Sequence, residues 1–83
     1  MKLVYFASVR QALGKSEETI SMPATITTVA GLAAFLAAQG PSYAAVFADT
    51  ACLRAAVNQV HARFEDLVGD DDEVAFFPPV TGG

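Results

Sequence analysis

The group in this 83-residue sequence best suited to chemistry is the carboxylate of Gly83, carried on a Gly82–Gly83 end behind Thr81. Glycine has no Cβ, so a Gly-Gly end is thin and conformationally permissive. It can thread a slot in another protein where any side chain would clash. Pro78 and Pro79 favour an extended backbone and donate no N–H to a ladder. The expected arrangement is a folded domain over residues 1–77 and an extended, projecting tail over residues 78–83. The competing reading is a frayed terminus, the ordinary state of a chain end.

No internal group offers an alternative. His61 is the only histidine and Cys52 the only cysteine, so neither belongs to a metal-ligand pattern, and no metal site is expected. Cys52 has no base at a recognisable spacing and is expected to be a small buried thiol. Asp70, Asp71, Asp72 and Glu73 form a short acidic run. A calcium loop spreads its ligands over about a dozen residues and ends on a glutamate at a fixed offset, so a solvated turn is expected here. The glycines stand apart until the tail, and no phosphate loop is present. Any part in chemistry is therefore that of a substrate or carrier, with no cofactor bound.

The composition narrows the setting. The net charge is −4 and the isoelectric point about 4.6, which argues against a nucleic-acid partner and suits a partner with a basic surface. Hydrophobic residues make up 53% and the mean hydropathy is +0.39, too apolar for disorder. A single cysteine excludes an internal disulfide, and with no secretory signal expected at Met1–Lys2, a cytoplasmic location fits. No charge occurs from Thr19 to Phe47. Pro23, Pro41, Gly31, Gly40 and Gln39 nevertheless interrupt that stretch, and its apolar part is about half the ~20 residues of a membrane span.

The elements that must position the tail follow from periodicity. Residues 2–7 read as a first strand, with Lys2, Val4 and Phe6 outward and Leu3, Tyr5 and Ala7 toward the core. Residues 8–13 suit a short helical turn ended by Gly14. Residues 18–22 read as a second strand, stopped by Pro23. Thr27 or Thr28 suits the N-cap of the main helix, which carries Val29, Leu32, Ala33 and Leu36 on one stripe, with Gly40 as its C′ residue. Residues 41–49 suit a short helix or turn. Residues 53–58 and 60–64 alternate as a hairpin around Asn58-Gln59, since Asn tolerates positive φ. Residues 69–72 form a turn. Residues 73–77 form the last strand, with Val74 and Phe76 inward and Ala75 and Phe77 outward. This order predicts an α+β fold, a ubiquitin-like β-grasp, in which a mixed sheet of four to five strands wraps one main helix.

The same alternation leaves Phe6 and Phe77 on the outer face with His61 beside them. Exposed aromatics on one face of a small domain mark a protein interface. A register slip of one residue would move every side chain to the other face. Lys2, Arg54, Arg63 and Glu73 all support the register chosen.

The run Asp72-Glu73-Val74-Ala75-Phe76-Phe77-Pro78-Pro79-Val80-Thr81-Gly82-Gly83 resembles the ending of the small, sulfur-carrying subunits of molybdopterin synthase. Val4-Tyr5-Phe6-Ala7-Ser8-Val9-Arg10, Ala55-Ala56-Val57-Asn58-Gln59 and the overall size are similar too. Gly-Gly alone would also fit ubiquitin or the thiamin-pathway sulfur carrier. The stretch from Thr19 to Thr50 carries no recognisable motif. The resemblance implies a β-grasp carrier whose terminal glycine, here Gly83, is adenylated with ATP by a ubiquitin-activating-like enzyme. The acyl-adenylate is then converted to a thiocarboxylate, a covalent sulfur on Gly83. It further implies that the tail enters the large synthase subunit, in a heterotetramer, and donates sulfur to cyclic pyranopterin monophosphate to form the dithiolene. The active site then lies on the large subunit. Phe6, His61 and Phe77 fall at the family's mainly apolar partner contact, where His61 replaces an expected aliphatic residue. Arg10 is expected to meet the activating enzyme.

Two other readings stay open on the residues alone. One is a carrier for another pathway, such as thiamin or cysteine, or a protein modifier. The other is a β-grasp binding module with an inert tail.

Overall fold

The computed structural model describes residues 1–79. Five strands form one mixed sheet: β1 (Lys2–Tyr5), β2 (Glu17–Thr19), β3 (Arg54–Val57), β4 (Val60–Ala62) and β5 (Glu73–Phe77). Their order is β2-β1-β5-β3-β4. β1 and β5 run parallel, and every other neighbouring pair is antiparallel. Helix α1 (Ala7–Leu13) follows β1, and α2 (Val29–Ala37) and α3 (Pro41–Phe47) follow β2. This is the expected α+β β-grasp, with two short helices added to the main one.

The core lies between α2 and the inner face of the sheet. Leu3, Tyr5, Ala55, Val74 and Phe76 of the sheet are almost fully buried, as are Val29, Leu32, Ala33 and Leu36 of α2. Phe47 of α3 closes one side, its ring 5.0 Å from Phe76 in an edge-to-face contact. The alternating strand pattern and the helical stripe thus meet as their two periods require. α2 has no charged residue, so the packing of this stripe holds it.

The N-terminus of α2 shows how a chargeless helix begins. Its first N–H groups have no partner within the helix. The Thr28 Oγ1 accepts from Gly31 at 3.0 Å, as the sequence predicts for this cap. The Val29 and Ala30 N–H groups donate to the carbonyls of Asp66 and Phe64 at 3.0 and 2.8 Å. The loop between β4 and β5 therefore completes the helix start.

The hairpin of β3 and β4 turns at Asn58 and Gln59, whose φ angles are 51° and 69°. Two positive φ angles match the right-handed twist of the flanking strands. The Asn58 side chain also ties the hairpin to β5: its Nδ2 donates to Asp72 at 2.9 Å and its Oδ1 accepts from the Glu73 N–H at 3.0 Å.

The structure departs from expectation at several points. Ala7 is exposed, not core-facing. The chain turns out of the sheet after Phe6, and Ala7 opens α1 with φ 51°. A left-handed alanine costs about 1–2 kcal/mol. The second strand covers only Glu17–Thr19, although Ile20 and Met22 still pack against the core. Gly40 is not the C′ residue of α2, whose C-cap is Ala38. Gly40 instead caps the start of α3, and its carbonyl accepts from Ala44 at 2.8 Å. Cys52 is exposed. A 3₁₀ turn over Thr50–Cys52 points Leu53 into the core and leaves the thiol outside, beside Asp49 and Ala45. No helix among the described residues is long and apolar enough to cross a membrane.

Candidate functional site

The site is built at the end of the sheet where β5 delivers the chain to its C-terminal residues. Parallel pairing sets Tyr5 opposite Phe76, and both are buried. The next residue on each strand, Phe6 and Phe77, therefore belongs to the outer face. The Phe6 N–H donates to the Phe76 carbonyl at 3.1 Å, carrying the pairing one residue past β1. Phe6 is 49% exposed and Phe77 is half-buried.

On the other side of β5, Phe77 pairs with Arg54 of β3. Ala56, two residues on and facing the same way, pairs with His61 of β4. The exposed imidazole of His61 reaches over β3 and meets the Phe77 ring, centroids 5.8 Å apart and planes at 86°. Such an edge-to-face pair is a favourable aromatic arrangement. Val4, Ala56 and Ala75 continue the outer face with small or half-buried apolar groups. The outer face therefore presents Phe6, Phe77 and His61 in one neighbourhood.

Arg10 lies on α1, one turn behind Phe6, and its backbone N–H donates to the Phe6 carbonyl at 3.3 Å. Its side chain is exposed and forms no ion pair among the described residues. Pro78 and Pro79 are half-buried. Thr81, Gly82 and Gly83 lie outside the described residues. The same holds for most of the tail assigned to residues 78–83.

The polar network nearest the core sits away from this face. The buried Tyr5 hydroxyl donates to the Glu18 carboxylate at 2.7 Å, and the Tyr43 hydroxyl donates to the same oxygen at 2.8 Å. Lys15 Nζ donates to Tyr43 at 2.9 Å and lies 3.6 Å from the other Glu18 oxygen. Burial pushes the Glu18 carboxyl up, but the hydrogen bonds from Tyr5 and Tyr43, with Lys15 nearby, outweigh it and hold the group below the ordinary range. Burial, then the bond to Glu18, pushes the Tyr5 hydroxyl well above its ordinary value. This network fastens β1, β2 and α3 together. It was not read from the sequence, because four residues so far apart in the chain give no local signal.

The acidic run is a structural turn. Asp70 accepts from the Met22 N–H at 3.0 Å and lies 3.4 Å from the terminal ammonium of Met1. Asp72 accepts from Gly69 at 2.8 Å. These bonds hold both carboxyls below the ordinary range, the Met22 N–H first for Asp70 and the Gly69 N–H first for Asp72. Among the described residues no group of three His, Cys, Asp or Glu side chains is placed to hold a metal ion.

Comparison with known proteins gives consistent results. The model of the ThiS family matches residues 3–83. The chain is 42% identical over 83 residues to the molybdopterin synthase sulfur carrier subunit of Escherichia coli, covering 100% of this chain and 99% of that protein. Among solved structures, SAMP1 of Haloferax volcanii superposes with a TM-score of 0.76 at 25% identity, covering 100% of this chain and 98% of that one. A putative molybdopterin converting factor subunit 1 of Pyrococcus furiosus gives 0.68 at 25% identity, covering 95% of each chain.

Proposed function

The chain belongs to the ThiS family, and from that membership we propose that it is the sulfur carrier subunit of a molybdopterin synthase. The observation that carries this reading is the 42% identity to a protein of that name over essentially the full length of both chains. The terminal run of this sequence, Phe77-Pro78-Pro79-Val80-Thr81-Gly82-Gly83, supports it.

In this reading the Gly83 carboxylate is the working group. A carboxylate is a poor acyl donor until an oxygen becomes a leaving group. An adenylating enzyme of the ubiquitin-activating type joins the carboxylate to AMP from ATP and releases pyrophosphate. A sulfur donor at the sulfide level then displaces AMP, and a C–S bond replaces the C–O bond to phosphate. The resulting thiocarboxylate is a soft sulfur nucleophile on a protein handle. Inside the large subunit its sulfur displaces an oxygen substituent from a side-chain carbon of the pterin precursor, cyclic pyranopterin monophosphate, so a C–S bond forms as a C–O bond breaks. Water then splits the acyl–sulfur bond, leaving sulfur on the pterin and a free carboxylate on Gly83. Gly82 keeps the path slender, and Thr81 precedes it in the same tail.

Phe6, Phe77 and His61 supply the docking face. Affinity resides in the folded body, because ordering a tail costs conformational entropy. Arg10, beside Phe6, meets the activating enzyme. The carrier works in the cytoplasm, leaves one enzyme for the other, and assembles with the large subunit as a heterotetramer.

A second reading, a protein modifier of the same chemistry, draws on the likeness to SAMP1, since SAMP1 denotes a small archaeal modifier protein. Intact mass after incubation with ATP, the activating enzyme and a sulfur source tests the carrier role. The expected gain matches exchange of one oxygen for one sulfur, and it is absent from a variant lacking Gly83. No gain, with the enzyme active on a known carrier, rejects the role. Covalent attachment to other proteins in place of sulfur transfer to the pterin precursor would favour the modifier reading.

A further inference from the structure

The cations of the chain are unevenly paired. Lys2 lies 3.6 Å from Glu17 and 3.9 Å from Glu73. Lys15 lies 3.6 Å from Glu18, and Arg63 3.4 Å from Glu65. Arg10 and Arg54 have no carboxylate within 4.0 Å among the described residues. Arg54 pairs with Phe77 across the sheet, and the Arg10 backbone bonds to the Phe6 carbonyl.

Arg54 is the more telling of the two. It is exposed and directly opposite Phe77 in the ladder of β3 and β5. Cross-strand neighbours on one face have Cβ atoms about 4.5–5.5 Å apart. A partner that covers Phe77 must therefore also cover Arg54. A guanidinium stripped of water without a counter-charge opposes binding, and a carboxylate in bidentate geometry reverses that. Its Nη1 donates to the carbonyls of Leu53 at 2.9 Å and Ala51 at 3.4 Å, which leaves its other N–H groups free to meet a carboxylate.

We propose that Arg54 determines partner specificity on the outer face by pairing with a carboxylate that the large subunit places beside its Phe77 pocket. The proposal rests on the docking reading given above and adds to it the chemistry of the partner. That surface is apolar at its centre and acidic on the side facing β3. A chain of net charge −4 is repelled overall by an acidic partner. The acidic group must therefore be local, which makes it selective.

The test is titration of the full chain with the large subunit from the same organism at low and high salt. Arg54→Gln should weaken binding about tenfold, and Arg54→Glu on the order of a hundredfold, with a flatter salt dependence than the parent. Arg54→Lys, which keeps the charge but loses the fork, should fall between the parent and Arg54→Gln and retain the salt dependence. Arg63→Gln, at a cation already paired within the chain, should bind within about twofold of the parent. Circular dichroism and melting confirm that each variant is folded, and Arg54→Lys carries the test if Arg54→Gln does not fold. If Phe77→Asp abolishes binding while the Arg54 variants bind as the parent does, the docking face stands and the Arg54 proposal fails. If Phe77→Asp also binds normally, the docking reading falls and takes this proposal with it.

Discussion

The imidazole of His61 and the ring of Phe77 meet edge to face across an intervening strand, 5.8 Å between centroids. Arg54 and Ala56 of β3 lie between them: Arg54 pairs with Phe77, and Ala56 pairs with His61 on one side and with Ala75 on the other. The small side chain of Ala56 leaves room for the two rings to approach. The contact joins β4 to the end of β5, where the chain leaves for its terminal glycines. The proposed docking face and the strand that leads to the terminal residues are thus in direct contact.

Phe77→Asp is expected to abolish complex formation with the large subunit while the domain stays folded. Phe77 lies on the outer face, so a charge there meets the partner and not the core. Phe6→Ala should cost about 1–3 kcal/mol of binding, as for an aromatic anchor at an interface. Titration reads the binding, and far-UV circular dichroism with a thermal melt reads the fold. A Phe77→Asp protein that binds normally would reject this face as the docking surface.

Removing Gly82 and Gly83 should leave affinity for the large subunit within a few-fold of the parent while sulfur transfer is lost completely. In the proposed function the body supplies the binding and the tail the chemistry, so the two readouts separate. A truncated chain that no longer binds would place the affinity in the tail.

Glu18→Ala should destabilise the domain by about 1–3 kcal/mol, because the buried Tyr5 hydroxyl loses its acceptor. For a domain of this size each kcal/mol lowers Tm by roughly 4–8 °C. Calorimetry of the parent and the variant decides this, and an unchanged Tm would show that water replaces the carboxylate at no cost.

Stability should fall at both ends of the pH scale for separate reasons. The Glu18 carboxyl is held below its ordinary range in the folded state. Its contribution is therefore complete above the unfolded value of about 4.3 and is lost as pH falls through the folded value. Tyr5 is shifted the other way. Its contribution is complete below the unfolded value of about 10 and is lost as pH rises beyond it. Denaturation followed across pH should show both slopes in the parent, with the acid slope reduced in Glu18→Gln and the alkaline slope reduced in Tyr5→Phe.

Gln59→Gly should raise stability by roughly 0.5–1 kcal/mol. Gln59 holds φ at 69°, a conformation that costs a residue with a side chain more than it costs glycine. The gain is partly offset by the larger entropy of glycine in the unfolded chain. A drop in Tm would mean that the Gln59 side chain makes a stabilising contact that outweighs its backbone strain.

Much of this protein was legible in the sequence because its signals are local. The alternation in Glu73–Phe77 fixed which side of β5 faces the core, since successive side chains of a strand point oppositely. Thr27 or Thr28 marks the start of α2 as a residue whose hydroxyl can cap a nearby N–H, and Thr28 is the one that does. Asn58-Gln59 marked the hairpin because two positive φ angles are needed there. The Gly83 carboxylate is proposed as the site of chemistry from the Gly-Gly end and the family resemblance, and it lies outside the described residues.

What only the tertiary structure decided depends on which distant segments come together. Ala7 reads as a strand residue because its hydropathy continues the run from Leu3, but the chain leaves the sheet after Phe6 to enter α1. Cys52 was read as buried because small thiols usually are. The 3₁₀ turn gives the buried position to Leu53 instead. Tyr5, Lys15, Glu18 and Tyr43 meet only because the fold brings side chains from β1, β2, α3 and the loop before β2 to one place. Arg54 faces Phe77 only because β3 pairs with β5 in one register. Periodicity is written into neighbouring residues. Register and side-by-side packing are set by the minimum of the whole chain, and no short window of sequence contains them.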